Sequence, residues 1–425
     1  MSSNSLTSLT SFFRACFALV ASTLLLCLLP SVAEAQPVEI SFDNLREALR
    51  ESNPEVINAG LQMRSDEAAV TGLGAAFLPS FSSQIDKGKV GSESTSTVEV
   101  ESSINVYRGG SDKSDAALSR TKLDLSSLGT QATLLDVLRL TRQIYLEIVG
   151  TSERVRIHTA LRENLESMRA PLLKRLAAGL ATNSDLLRLN TALANNDLHI
   201  TTFELRRAQL QTELQLSLGN ADVTVAAESL GALHQKYKPT DSNGAQGEIS
   251  IGAKMLEFEA TIHQLEAQKA QAPDKPRVDV FAKSSSDSDS KSGTGYSAPH
   301  HEVGIRLSLD LATSAREKKS AAGSVAREAL VRSRLSQHQT SLTQRIAATK
   351  NELAQLSSGI DKIRAAADSM KDLSKSLTKE YASGLKEFAE VLEAHREEAE
   401  VYESVVEAQE HYLTKWSDLM RLLDK

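Results

Sequence analysis

The spacing of apolar residues along this chain changes several times, and it changes in the same order twice. From Phe42 to Phe77, and again from Ile249 to Ala272, the pattern predicts a helix, and a proline closes each stretch, Pro79 in the first and Pro273 in the second. Two short alternating segments follow each helix. Phe81, Ser83 and Ile85 alternate with polar residues, and Val98, Val100, Ser102, Ile104 and Val106 do the same. In the second half the corresponding sets are Val278, Val280 and Ala282, then Val303, Ile305, Leu307, Leu309 and Leu311. A period of two predicts strands with one apolar face. The intervening stretches, Gly88 to Thr97 and Ser284 to His301, are small and polar, and are expected to form hairpins with long solvated tips.

Each pair of strands is followed by a very long helical stretch. From Asp112 to Ala178 no proline occurs before Pro171. At 1.5 Å per residue, roughly 65 residues reach about 100 Å, far more than a globular domain accommodates. The last part of the chain shows how such a helix is covered. Leu385, Phe388, Leu392, Ala399, Tyr402, Val406, Leu413, Trp416, Met420 and Leu423 form a heptad seam interrupted only by His395 and Gln409. Leu134, Leu138, Tyr145, Ile148 and Val155 trace a similar seam in the first half. Antiparallel coiled-coil hairpins are expected, with Gly179 and Gly384 at their turns.

The two halves align at an offset of 205 residues. Gly179-Leu180 then matches Gly384-Leu385, Asp185 matches Glu390, and Leu187 matches Leu392. The same offset pairs Ala116-Ala117 with Ala321-Ala322, and Ile104 and Val106 with Leu309 and Leu311. The organisation expected is therefore a first repeat over 36–219, a connector over 220–247 and a second repeat over 248–425. Residues 1–35 read as a secretory signal peptide: Arg14, an apolar run from Ala15 to Leu29, and Ala33-Glu34-Ala35 as a small-x-small cleavage site. The alternative is an uncleaved anchor, which the run is too short to favour, since a spanning helix needs about 20 apolar residues.

Composition sharpens this picture. Aromatic residues are only 4% of the chain, and the 9 prolines and 21 glycines are few for 425 residues, which favours long helices over a compact α/β enzyme. The formal net charge of −7 gives no bulk footprint for nucleic acid. Both cysteines, Cys16 and Cys27, lie in the signal segment, so no disulfide or thiolate metal site is expected beyond it. The fold class expected is mainly α with a small β part. Four strands cannot close a barrel, for which about eight is the practical minimum, and they leave sheet edges open. Three chains would supply twelve strands around a water-filled lumen.

This pattern resembles the outer-membrane efflux protein (TolC) family. The residues that carry the resemblance begin with Leu45, Ala48, Leu49 and Asn53-Pro54-Glu55, followed by Phe77-Leu78-Pro79-Ser80 and Gly109-Gly110. Ala178-Gly179-Leu180-Ala181-Thr182 with Asp185-Leu186-Leu187 forms a first tip; Ser383-Gly384-Leu385 with Glu390 and Glu393 forms a second. The resemblance implies a homotrimer with a 12-stranded outer-membrane barrel and an α-helical periplasmic tunnel. It implies an exit duct of a tripartite efflux pump or a type I secretion system, partnered by a periplasmic adaptor (membrane fusion) protein, a proton-driven or ATP-driven inner-membrane transporter and outer-membrane lipid. The chain departs from the family pattern in its second half. Gly247-Glu248-Ile249 stands where the Asn-Pro-Glu start would be, and Ala312-Thr313-Ser314-Ala315 replaces the paired glycines. Aromatic residues for interfacial girdles are nearly confined to Phe81, Tyr107, Phe281 and Tyr296.

The resemblance also assigns roles to residues. Glu390 and Glu393, one turn apart, would form stacked acidic aperture rings in a trimer; the alternative is a solvated helix face, since Glu397, Glu398 and Glu400 follow. Asp185, Tyr381 and Lys386 match a gate latch, against which Asp185 could simply cap a helix. Gly179, Leu180, Gly384 and Leu385 match adaptor-docking tips. His300-His301 with Glu302 lacks the spacing of a metal site. His158, His199 and His263 are expected on helical polar faces. No catalytic constellation is found, so neither an enzyme nor a cofactor is expected. The competing functional class is a non-conducting periplasmic coiled-coil scaffold or adaptor.

Overall fold

The computed structural model describes residues 38–72, 78–90, 93–219, 223–238, 250–272, 275–289, 299–309 and 314–425. The signal segment 1–35, Pro273 and Tyr296 lie outside the described residues. In chain order the elements are β1 (Val38–Ile40), α1 (Leu45–Ser52), α2 (Pro54–Gly72), β2 (Ser80–Val90), β3 (Glu93–Arg108), α3 (Ser111–Ala177), α4 (Asn183–Leu218), β4 (Val223–Val225), α5 (Leu230–Lys236), α6 (Ile251–Ala270), β5 (Arg277–Asp289), β6 (His300–Ser308), α7 (Ser314–Ala382) and α8 (Phe388–Leu422).

The helix expected from Phe42 to Phe77 is two helices, broken at Asn53. Asn53 is extended, with ψ 125°, because the following proline disfavours the helical region. Its side chain makes the break stable. Oδ1 accepts the Glu55 and Val56 amides at 2.9 and 3.1 Å, while Nδ2 donates to the Ser217 carbonyl at 2.6 Å. Asn53-Pro54 thus ends one helix, caps the next and fastens both to the end of α4. Phe42 precedes α1 and is 1% exposed, packed among Tyr145, Tyr237 and Trp416.

Helices α3 and α7 run for 67 and 69 residues, and α4 and α8 fold back along them for 36 and 35. Each return is made by a glycine in left-handed conformation, Gly179 at φ 72° and Gly384 at φ 81°. The amides of Leu180 and Leu385 donate back to the carbonyls of Arg175 and Glu380, the paired-bond helix stop that such a glycine permits. The α8 seam is buried as expected at Phe388, Leu392, Ala399, Val406 and Leu413. His395 and Gln409 do not interrupt it; both are buried members of the seam.

Helix α3 packs against α2, α4, α6 and α8, so it is the spine of the chain. Two apolar clusters lie along it. One gathers Leu45, Leu49, Tyr145, Leu214, Leu230 and Tyr412; the other, toward the turns, gathers Leu165, Leu172, Leu189, Phe388 and Val391. The connector is partly structured, contrary to its loop-like composition. β4 pairs in parallel with β1, and α5 packs on α8, burying Leu230 and Leu233. Three-residue strands and a seven-residue helix are too short for a periodicity signal.

The remaining four strands form one antiparallel sheet in the order β2-β3-β5-β6. The strands are longer than expected. Gly88 pairs with Thr95, so most of the first anticipated tip is ladder; in the second, Ser285 pairs with His300, strand runs to Asp289, and 290–298 lie outside the described residues. The central β3-β5 pair joins the two repeats. At its base, Gly109 adopts φ 65°, and a Cβ there would lie 2.3 Å from the Ala272 carbonyl oxygen. The Gly109-Gly110 pair lets the chain turn from β3 into α3 directly against the corner of the second repeat.

The offset between the repeats is not constant. Asn183 and Phe388 open the return helices 205 residues apart, as the turn glycines are; Pro54 and Ile251, and likewise Ser80 and Arg277, are 197 apart. β3 and β6 end at Arg108 and Ser308. Leu309 therefore lies beyond the end of β6, whereas Ile104 is inside β3, and the alignment of those two does not hold in the fold.

Candidate functional site: an inverted sheet and two helical turns

Register sorts the sheet into two faces. Phe81, Ile85, Val98, Val100, Ile104, Val278, Val280, Val303, Ile305 and Leu307 share one face with serines, Ala282 and, toward the hairpin ends, Lys87 and His301. A bulge between Asn105 and Tyr107 returns Tyr107 to that face. Gln84, Asp86, Glu99, Glu101, Asp279, Lys283, Glu302 and Arg306 share the other. The usual burial order is reversed. Val303, Ile305 and Leu307 are 81%, 73% and 70% exposed, and Phe81 is 77% exposed, whereas the Glu101 side chain is only 17% exposed. Water-soluble sheets bury the apolar face. Here the apolar face is exposed, and the polar face is sheltered only along its centre, at Glu99, Glu101 and Lys283, while Ser82, Gln84, Asp86 and Glu302 on the outer strands are exposed.

The polar face is cross-linked by charge. Lys283 Nζ lies 2.8 Å from Glu99 Oε2, joining β5 to β3. Arg306 on β6 reaches across β5 to Glu101 on β3, donating at 2.9 and 3.3 Å to its two oxygens. On its way the guanidinium lies 4.6 Å from the centre of the Phe281 ring. Phe281 is therefore on the polar face and cannot serve in an outward aromatic girdle, as the sequence suggested; Phe81 and Tyr107 are outward.

At the opposite end, the turns present Leu180 and Leu385 at 73% and 75% exposure. Asp185 closes a capping box: its carboxylate accepts from the Thr182 amide at 2.9 Å and hydroxyl at 2.8 Å, and its amide donates to the Thr182 hydroxyl. Lys386 donates to Glu390 at 2.7 Å, which holds the Glu390 carboxyl below and the Lys386 ammonium above their ordinary values. Glu393 pairs with Arg396 at 3.2 Å. Tyr381 is buried, its ring 4.5 Å from the Arg175 guanidinium, which also donates to the Tyr381 carbonyl at 2.7 Å. The single chain therefore does not bring Asp185, Tyr381 and Lys386 together. Arg175, which the sequence reading missed, is the residue that ties the first hairpin to the second beside the turns.

A second polar tie between the hairpins lies further along. His158 of α3 is buried rather than on a polar face. One ring nitrogen meets Asn196 Oδ1 of α4 at 2.7 Å and the other meets Glu403 of α8, while His199 stacks on the ring at 5.0 Å. Burial alone would lower the His158 pKa, but the bonds to Glu403 and Asn196 outweigh it and raise it. Burial likewise opposes ionisation of Glu403, and His158 overcomes it, holding that carboxyl low. Arg154 and Glu410 make a parallel tie at 2.9 Å. The seam residues Tyr145 and Ile148, continued at three- and four-residue steps, run to His158, Leu161 and Leu165; that extension was the signal available.

His300 lies 3.4 Å from Glu302 on one face of β6, and His301 is on the other face, as adjacent strand residues must be. Among the described residues no group of three or more His, Cys, Asp or Glu side chains is placed to hold a metal ion. Among the same residues no helix is long and apolar enough to cross a membrane.

Comparison with known proteins gives the same fold. The outer-membrane channel OprN is 15% identical, with a TM-score of 0.74 over 90% of this chain and 89% of that one. CusC, described through its folding and transmembrane channel formation, is 15% identical, with a TM-score of 0.76 over 93% and 95%. The outer membrane protein VceC of Vibrio cholerae is 15% identical, with a TM-score of 0.72 over 90% and 96%. No curated protein matches in sequence. A family model, that of the outer membrane efflux protein, matches residues 254–424. The chain thus resembles the outer membrane efflux protein family, in sequence across its second repeat and in fold across both.

Proposed function

We propose that this chain is one of three identical subunits of a passive exit duct in the bacterial outer membrane, carrying cargo outward from a tripartite efflux pump or a type I secretion system. The observation that carries this reading is the inverted sheet. Its exposed apolar face suits lipid, and its charged opposite face suits a water-filled lumen. Its outer strands, β2 and β6, each keep one unpaired edge. Because β2 and β6 run in opposite directions, the β6 of one subunit can pair antiparallel with the β2 of the next, and three sheets close into twelve strands. The scaffold alternative gives no use for an exposed apolar sheet.

In this reading the long helices form the periplasmic tunnel and the turns face inward to the cell. Leu180 and Leu385, set out by Gly179 and Gly384, offer apolar contacts to a periplasmic adaptor that joins the duct to an inner-membrane transporter. Glu390 and Glu393, near the second turn, supply acidic rings at the aperture, each tempered by its own basic partner. A latch of Asp185 with Tyr381 and Lys386 has to form between hairpins or subunits, in competition with the Thr182 cap and the Lys386–Glu390 pair. Exposed pairs of this kind are screened by water and salt, so such a latch is weak and reversible.

The test is conductance. Purified protein in planar bilayers is expected to form cation-preferring pores, and Glu390→Gln with Glu393→Gln to reduce that preference. A protein that stays monomeric and leaves bilayers sealed would overturn the duct.

A further inference from the structure

We propose that the barrel wall at the level of Arg306 is a second charge filter, separate from the helical aperture, and that Arg306 is its setting residue. The inference rests on the duct reading, because it takes the polar face of the sheet to be the lumen. Above the basal pair Arg108 and Arg277, the described part of that face carries Asp86, Glu99, Glu101, Asp279 and Glu302 against Lys283 and Arg306. Such a wall favours cations. Lys283 is closely paired with Glu99 and both are about one-quarter exposed, so the pair is nearly neutral toward a passing ion. Arg306 differs, because its side chain is 47% exposed although its bidentate partner Glu101 is only 17% exposed.

The sequence builds this placement from three residues. Gly304 opposes Phe281 in the β5–β6 register, and a Cβ on it would lie 3.1 Å from the Phe281 ring. Glycine therefore allows the ring to lie flat across β6 instead of standing into the lumen. The flattened ring supports the Arg306 guanidinium from below, and Glu101 fixes its far end. Guanidinium on an aromatic face, held by a bidentate carboxylate, is an arrangement lysine cannot reproduce. Three subunits would set three such guanidiniums at one level of an otherwise acidic wall. Their effect is to temper the cation preference and to offer an anchoring point to anionic groups on cargo. Asp279, directly across the strand pair from Arg306, makes no ion pair among the described residues, although its charge is felt by the guanidinium, and it pulls the opposite way on a passing ion.

The experiment is the reversal potential of single channels in a potassium chloride gradient, with the full-length protein. Arg306→Gln is expected to raise the cation-to-anion permeability ratio by roughly a factor of two, and Asp279→Asn to lower it by a similar factor. Arg306→Lys keeps the charge and loses the aromatic support; it is expected to fall between wild type and Arg306→Gln. Opposite shifts from the first two variants cannot come from a general loosening of the sheet. Because Asp279→Asn breaks no ion pair, it remains informative if Arg306→Gln assembles poorly. Conducting channels whose reversal potential is unmoved in both variants would overturn the filter and leave the duct standing. A wild-type protein without conductance would overturn the duct, and the filter with it.

Discussion

His158 is a titrating tie between three helices. Its raised pKa means that the protonated ring is favoured in the folded protein. Its contribution is fully present below the ordinary value of 6.5 and is lost as pH rises through the raised folded value. Glu403 behaves conversely, contributing above its ordinary value of 4.5 and losing that contribution as pH falls through its lowered folded value. The tie is thus strongest between those two limits. His158→Gln is expected to cost about 1–3 kcal/mol at pH 6 and much less at pH 9, read from thermal unfolding of detergent-solubilised protein at each pH. Equal losses at both pH values would mean that His158 acts by packing alone. A different residue-scale cost applies at Gly179. A Cβ there meets nothing within 4 Å, but φ is 72°. Gly179→Ala is therefore expected to cost about 1 kcal/mol through backbone strain, measured by denaturant titration. The glycine was legible from sequence because a turn residue between two helical patterns has few alternatives. The histidine was not, because its partners come from sequence positions 38 and 245 residues away.

At the scale of elements, the sheet is where the sequence was most informative and most misleading. Alternation in Val278–Val280 and Val303–Leu307 identified the strands, because period two survives whichever side is buried. It could not say which side faces water. The face assignment needed register and exposure together, and these moved Phe281 from the supposed girdle to the polar face. Strand ends were misjudged because Ser and Thr residues around Gly88 read as loop, yet they pair in a ladder whose backbone bonds are indifferent to side chain. The exposed face yields a sharp expectation. In the proposed duct, Ile305→Arg would place a charge against hydrocarbon, at a cost of about 2–4 kcal/mol near the bilayer midplane. Membrane flotation of the variant should show loss of insertion, whereas Ser82→Arg on the polar face should float normally. If Ile305→Arg floats as well as wild type, the apolar face does not meet lipid. Among helices, the break at Asn53 was hidden because apolar periodicity continues across it; only the Asn-Pro pair signalled it, and its meaning required the contact with Ser217.

For the whole molecule, the two repeats meet at the β3–β5 pair and along α3 and α8. Each repeat supplies a hairpin of strands and a hairpin of helices, and the ties at Arg175, His158 and Arg154 lie between the helical hairpins. These polar ties accompany apolar seams that themselves draw residues from both repeats. Leu165 lies at such a seam, fully buried. Leu165→Ala should cost about 2–5 kcal/mol in unfolding experiments, a larger loss than breaking any exposed ion pair near the turns. Duplication was legible in the turn glycines, whereas the change of offset from 197 to 205 was not, because strands tolerate length changes without altering their pattern. The completed cylinder itself lies beyond a single chain, and the unpaired edges of β2 and β6 are its testable mark. Cysteines placed at Ser80, Ser82 and Gln84 in turn, each against one at Glu302, should give oxidation-dependent crosslinks between subunits that build up to a covalent trimer on a denaturing gel. Monomers at every pairing, in protein that otherwise inserts into membranes, would contradict closure of one barrel by three chains.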